Sequence, residues 1–234
     1  MSMRPTELYR ILLKRYGNLN WWPMDSSYHD RVGSDPRFEI IVGAVLTQNT
    51  AWSNVEKALL KLKAKNMLDI RNIQDIDEQE LKMMIRSSGF FNQKARRLKF
   101  LVDHLYVNYD ADLDSFFKRD LSEIRDELLA INGIGPETAD SILLYAGNKP
   151  IFVVDAYTRR ICKRIPINVN LDYDQIQHYF QNDIIKNFHK KDLSRVFNEL
   201  HAQIVMLAKE FCKKMPLCDN CPLNNFCEYK KKLF

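Results

Sequence analysis

The stretch Asn132-Gly133-Ile134-Gly135-Pro136-Glu137-Thr138-Ala139-Asp140 constrains this chain more than any other. Ahead of it Leu121, Ile124, Leu128 and Leu129 recur at helical spacing, and behind it Ala139, Ile142, Leu143 and Ala146 do the same. Two amphipathic helices therefore flank a short turn. Gly133 and Gly135 permit positive φ and put no side chain in the way, while Pro136 stands where a first helical residue needs no N–H donor. Amides exposed at the start of the second helix form an anion site that a nucleic-acid phosphate can approach closely. Alone, such a G-x-G marks only an ordinary helix-helix turn. Two further signals add to it: Val153-Val154-Asp155 about a helix later, and a group of cysteines near residue 220.

The chain of 234 residues is long enough for one good core or two modest lobes. Its 46% hydrophobic and 28% charged residues fit a folded globular protein. A formal charge of +5 decides little, but its distribution is uneven. Lys94-Ala95-Arg96-Arg97-Leu98-Lys99, Arg159-Arg160-Ile161-Cys162-Lys163-Arg164 and Lys213-Lys214 are local basic clusters of the kind that suits a phosphate backbone. The longest apolar run, residues 40–46, is too short to cross a bilayer, and the first 17 residues carry no signal-peptide pattern. An intracellular, cytoplasmic protein without a membrane partner is expected.

Apolar spacing predicts helices throughout. Leu8, Ile11 and Leu12 open the first, which stops at Gly17; Trp21-Trp22-Pro23 begins a polar loop reaching to about Pro36. Phe38, Ile41, Val42 and Val45 form the next stripe, and a further helix is expected to start at Ser53 with Glu56 closing a capping box. Ser88 to Lys94 reads as a turn with an exposed aromatic. Leu98, Leu101, Val102 and Leu105 precede the hairpin, and Leu193, Val196, Phe197, Leu200, Ile204, Leu207 and Phe211 form a long stripe after it. Only residues 151–154 look strand-like. The reading is all-α.

Cys212, Cys218, Cys221 and Cys227 give the spacing C-x5-C-x2-C-x5-C and account for four of the five cysteines. In an intracellular chain that clustering points to a metal rather than disulfides, and four thiolates suit zinc or a [4Fe-4S] cluster. Cys162, inside a helix, reads as an inert buried thiol. The five histidines show no metal-type spacing and are taken as ordinary surface or core residues.

Together these features resemble the helix-hairpin-helix DNA glycosylases of the endonuclease III superfamily, and the resemblance runs from Trp21 to Cys227. It implies an all-α, two-lobed fold. One lobe would be a helical bundle over residues 31–149 ending in the hairpin at 121–147; the other would join 1–30 to 150–234 and carry the cysteine loop at 212–227, with the active site in the cleft between. In such enzymes the hairpin grips the DNA backbone, and an Asp after a Gly/Pro-containing loop does the chemistry; here these are Gly147-Asn148-Lys149-Pro150 and Asp155. A fixed carboxylate stabilises the positive charge that builds on the sugar and orients the attacking water, although any Asp at this place also reads as a helix N-cap. The resemblance selects iron-sulfur over zinc, in a structural role that holds Lys213 and Lys214 against DNA. The first cysteine gap is five residues where six is usual. Glu137 stands where bifunctional relatives carry the lysine of G-x-G-x-K-T-A, and a carboxylate cannot form their Schiff base. A monofunctional enzyme is implied.

A damaged base must leave the stack to be read. Trp21-Trp22-Pro23, residues 46–52 and residues 89–95 are similar to the 3-methyladenine glycosylase III branch, whose best-known members lack the cysteine quartet. That likeness implies a base pocket of Trp21, Trp22, Pro23, Trp52 and Glu137, with the purine between Trp21 and Trp52. Gln48 would fill the space left by flipping and Phe90 would be the wedge. Asn92, Lys94, Gly133, Gly135 and Thr138 complete the expected DNA-binding set. An electron-rich indole suits a cationic alkylated base. The implied activity is hydrolysis of the N-glycosidic bond of an alkylated purine, 3-methyladenine first, by a monomer on damaged double-stranded DNA. Oxidised pyrimidines, mismatched thymine and deaminated bases stay open as substrates, as does a DNA-damage-binding module without turnover.

Overall fold

The computed structural model describes residues 2–167 and 169–231. Met1, Asn168 and residues 232–234, which the expected second lobe includes, lie outside the described residues. The chain divides into two compact units, Trp22–Gly147 and Met1–Trp21 with Asn148–Phe234. Among the described residues all regular structure is helical, and no helix is long and apolar enough to cross a membrane.

In chain order the helices are Pro5–Tyr16 (α1), Ser26–Val32 (α2), Pro36–Leu46 (α3), Trp52–Ala64 (α4), Ile70–Asp75 (α5), Glu78–Ile85 (α6), Phe91–Tyr109 (α7), Leu113–Lys118 (α8), Leu121–Ala130 (α9), Pro136–Ser141 (α10), Ala156–Cys162 (α11), Tyr173–Asn187 (α12), Leu193–Glu210 (α13) and Glu228–Lys231 (α14). Many starts are written locally. The side chains of Asp25, Asp35, Asp69, Asp77, Asp112, Asp155 and Asp172 each accept a hydrogen bond from an amide in the first turn of the helix that follows.

In the unit Trp22–Gly147, α3 is the central helix. Every residue from Phe38 to Leu46 is buried, as expected of a helix apolar on all sides. Helices α4, α7 and α10 pack against it, and α10 continues into a π-helical turn, Ile142–Ala146, that also lies against α3. The unit begins at Trp22 rather than at residue 31, because the intervening loop holds α2 and is bonded into the bundle. His29 Nε2 lies 2.9 Å from Glu39 Oε2, the Asp25 amide donates to the same carboxylate at 3.2 Å, and Lys63 Nζ sits 2.8 Å from Glu39 Oε1. The capping box expected at Ser53 is absent. Helix α4 starts at Trp52 with Ala51 as its N-cap, and Glu56 accepts instead from the Trp52 indole at 2.8 Å.

In the other unit α13 is the spine, its stripe of Val196, Phe197, Leu200, Ile204 and Leu207 buried against α1, α11 and α12. Residues 151–154 are buried but form no strand. Side-chain amides take the place of a ladder partner: Gln181 Oε1 accepts from the Phe152 amide at 2.9 Å and Gln177 Nε2 donates to its carbonyl at 2.7 Å. The Phe152 ring stacks on Phe180 with centroids 4.5 Å apart. Buried Glu199 accepts from the Leu19 and Asn20 amides at 2.6 and 2.8 Å, which fixes the segment leading to Trp21.

Candidate active site and nucleic-acid interface

The hairpin forms between α9 and α10 as the sequence predicts. Gly133 has φ +87°, in the left-handed region, but Gly135 is extended, with φ −94° and ψ 176°, and serves as N-cap before Pro136. The two glycines are needed for different reasons. A Cβ on Gly133 would come within 2.5 Å of the Arg97 side chain, whereas one on Gly135 would meet nothing within 4 Å. Gly135 is therefore the bare stretch of backbone that a phosphate can reach. A part-buried pair inside the hairpin, Arg125 Nε to buried Asp140 Oδ1 at 2.7 Å, ties α9 to α10.

Two neighbouring turns are held to this bend by α7, and this changes the reading of the basic cluster at residues 94–99. Lys94 is fully buried, its ammonium donating to Leu46 O at 2.8 Å and Ser88 O at 2.6 Å. Burial, with the Arg97 charge nearby, lowers its pKa from 10.5 to about 8. Arg97 donates to Gln48 Oε1, and Lys99 donates to Gln74 O and Ile76 O at 2.9 and 2.5 Å. Of the four cations only Arg96 stands out in solvent, 68% exposed. The run is basic in sequence, yet three of its four charges face inward carbonyls.

Other residues of the expected DNA-binding set divide in the same way. Thr138 is buried and its hydroxyl accepts from Gln48 Nε2 at 2.9 Å. Gln48 also donates to Gly133 O at 3.1 Å, so all three polar positions of its amide are engaged and it is not a free side chain ready to enter a gap. Phe90, by contrast, is 64% exposed with φ +46°. Such a conformation is rare for a bulky residue and is maintained only where the surroundings enforce it. Asn92 is exposed beside it.

The aromatic residues do not all fall in one unit. Trp52 is met edge-on by Trp22, with centroids 5.3 Å apart, and Trp22 also meets Tyr145 of the π-turn at 5.1 Å. The Trp22 ring lies over Gly43, where a Cβ would come within 3.2 Å of it. Pro23 and Trp52 share a groove of about 380 Å³ with Met24, Glu56, Leu59 and Leu60. Trp21 belongs to the other unit, where Asn198 donates to its carbonyl at 2.6 Å and Lys209 lies 5.8 Å from its ring centroid. Glu137 is exposed in the first turn of α10.

Asp155 is the N-cap of α11. Oδ1 accepts from the Thr158 amide at 2.7 Å, and Oδ2 lies 3.7 Å from His201 Nε2 on α13. The side chains of Asp155 and His201 are 13% and 7% exposed. Burial by itself would raise this carboxyl, but His201 and the Thr158 amide outweigh it, so its pKa falls below the ordinary carboxylate value. The result is an oriented, largely desolvated anion. His201, set aside by the sequence reading, is thus a neighbour of the candidate catalytic group. Its only sequence signal is its place beside Leu200 on a buried helical face.

Past α13 the chain turns into the cysteine loop. Cys212, Cys218, Cys221 and Cys227 are free thiols that line one small cavity with Arg164 and Tyr229. Burial pushes the Cys221 thiol up to about 11, with the other three thiols adding to the effect. Arg164 Nη1 donates to Cys212 Sγ at 3.2 Å and to Lys213 O at 2.7 Å, and its guanidinium sits 4.3 Å from the Tyr229 ring centroid. Four sulfurs around one cavity beside a fixed cation fit a group that draws thiolate charge, although among the described residues no three or more His, Cys, Asp or Glu side chains are drawn together as ligands of a single ion. Cys162 is buried and its thiol is pushed up to about 12, as an inert core cysteine should be.

Residues 42–184 match the family profile of the HhH-GPD superfamily base excision DNA repair proteins. The chain belongs to this superfamily. A Methanocaldococcus jannaschii protein carrying a provisional DNA repair glycosylase name is 45% identical over 224 residues, 94% of each chain. Endonuclease III of Sulfolobus acidocaldarius is 30% identical over 195 residues, 82% of each chain. Among solved structures, H. pylori 3-methyladenine DNA glycosylase bound to 1,N6-ethenoadenine superposes with a TM-score of 0.73 and 28% identity, covering 89% of this chain and 98% of that one. As an HhH-GPD protein the chain has the all-α endonuclease III-like fold and belongs among the DNA glycosylases of base excision repair.

Proposed function

We propose that this HhH-GPD protein is a monofunctional DNA glycosylase that hydrolyses the N-glycosidic bond of an extruded alkylated purine in double-stranded DNA, 3-methyladenine first among its substrates. The observation that carries the reading is the state of Asp155, a buried carboxylate kept ionised by His201 and the Thr158 amide. As the bond between C1′ and the base nitrogen breaks, positive charge grows on the deoxyribose, and a pre-oriented anion stabilises it without reorganising. A purine alkylated at N3 or N7 already carries a positive charge and leaves as a neutral molecule, so stabilising the sugar is the main help the reaction needs. The likeness to the H. pylori enzyme and the Trp52 and Pro23 groove support a purine. Glu137, in place of an amine, supports hydrolysis without strand scission. Phe90, Asn92 and the bare Gly135 backbone are the surfaces offered to DNA.

The deciding experiment is a panel of duplexes carrying 3-methyladenine, 1,N6-ethenoadenine, an oxidised pyrimidine, a deaminated base or mismatched thymine. Release of the alkylated purine, with strand breakage only after added alkali, is expected. Breakage without alkali would overturn the monofunctional assignment, preference for another duplex would overturn the substrate, and binding without release would leave only a damage-binding module.

The same reading gives Cys212, Cys218, Cys221 and Cys227 a [4Fe-4S] cluster, whose role would be to hold the loop of Lys213 and Lys214 in shape. Protein purified without air is expected to be brown and to contain about four iron atoms and about four labile sulfides per chain. Cys221→Ser should lose the colour. About one zinc per chain, with no colour, would reassign the site.

A further inference from the structure

Three turns of the unit Trp22–Gly147 that reach its surface are tied together by two side chains of one helix face. Lys94 joins Leu46 O, where α3 ends, to Ser88 O, two residues before Phe90. Arg97, three residues on, lies across Gly133 and donates to Gln48 Oε1, while Gln48 Nε2 bridges to Gly133 O and Thr138 Oγ1. Each turn presents something to the outside: exposed Asn49 with φ +52°, exposed Phe90 with φ +46°, and the open backbone at Gly135. Residues held in left-handed conformations need such support from their surroundings.

We propose that Arg97 is a positioning residue for damage recognition, which through Gln48 fixes the turn at residues 47–50 against the hairpin bend so that both meet DNA as one body. The proposal rests on the glycosylase reading for its purpose, but not for its geometry. It also explains why Gly133 is needed. Any side chain there would displace the Arg97 stem, and with it the guanidinium that holds Gln48. Arg97 is only part-buried, so a plain phosphate contact is the competing role, and the two have different signatures. A phosphate contact weakens binding to all duplexes alike and its loss lowers the salt slope by about one. A positioning residue changes how well damaged DNA is told from intact DNA and leaves the slope alone.

The test measures affinity for a duplex with an abasic-site analogue and for the intact duplex across a salt series, for the wild type, Arg97→Met, Arg97→Lys, Gln48→Ala and the double variant of Met at 97 with Ala at 48. Arg97→Met is expected to reduce the preference for damaged DNA about tenfold with an unchanged salt slope. Arg97→Lys should fail to restore it, since an ammonium lacks the planar guanidinium whose Nη1 reaches Gln48 Oε1 from the end of a stem lying over Gly133. The double variant should be no worse than either single one. A slope reduced by one with equal losses on both duplexes, or additive losses, would overturn the proposal. If the wild type itself shows no preference and releases no base, the glycosylase reading fails instead. The latch is then read from thermal unfolding of the same four variants, where a non-additive cycle upholds the coupling and an additive one removes it.

Discussion

Asp155→Asn is expected to slow single-turnover base release by about a thousandfold or more while damaged-duplex affinity stays within a few-fold of wild type. The change keeps the shape of the site. Asparagine is as good an N-cap as aspartate, so the Thr158 bond and α11 should survive, and only the charge is lost. Quenched-flow or gel assays of release, beside equilibrium binding, check both halves; an unchanged rate removes Asp155 from the chemistry. The pH dependence follows from the sign of its shift. A folded pKa below the ordinary value means that the anion persists to lower pH than a free carboxylate, and its contribution disappears only as pH falls through that depressed folded value. Between about pH 5 and pH 8 Asp155 should therefore contribute no titration to the rate. Replacing His201 with Phe removes the largest influence that opposes burial, so the acid limb of the pH–rate profile should move toward neutral pH.

The second large effect is on stability. Lys94→Met should destabilise the protein by about 2 kcal/mol at pH 7, because Leu46 O and Ser88 O lose their buried donor. The pH dependence runs opposite to that of an ordinary lysine ion pair. The folded pKa of about 8 lies below the ordinary 10.5, so between those values the unfolded chain binds the proton and the folded chain does not. Stability due to Lys94 must then rise with pH, and the gap between wild type and Lys94→Met should widen from pH 7 to pH 10 by at most about 3 kcal/mol. Urea unfolding of the two proteins at several pH values measures it. A gap that narrows would mean that the ammonium, rather than its hydrogen bonds to carbonyls, is what the site requires.

Much of the architecture was readable from residue spacing. The stripes of α3, α7, α9 and α13, the hairpin between α9 and α10, and the N-cap place of Asp155 all follow from local rules of apolar period and capping. Local rules misjudged the start of α4, because the Glu56 carboxylate has two possible donors and the Trp52 indole takes it. They read residues 151–154 as strand-like but too short and isolated to found a sheet, and only the Gln177 and Gln181 amides of α12 reveal what pairs with that backbone.

What the sequence determined by itself is the main helical stripes, the glycine bend and the grouping of four cysteines, since each depends on residues close together in the chain. What the tertiary structure alone decided is where the charges face. Lys94, Arg97 and Lys99 have long flexible stems that look the same in sequence whether their ends sit in solvent or reach an inward carbonyl, and here they reach Leu46 and Ser88, Gln48, and Gln74 and Ile76. His201 likewise acquires its meaning only because α13 packs on α11 and brings a ring nitrogen to Asp155 from 46 positions away. Direction and partner are properties of packing between distant segments, and no local spacing encodes them.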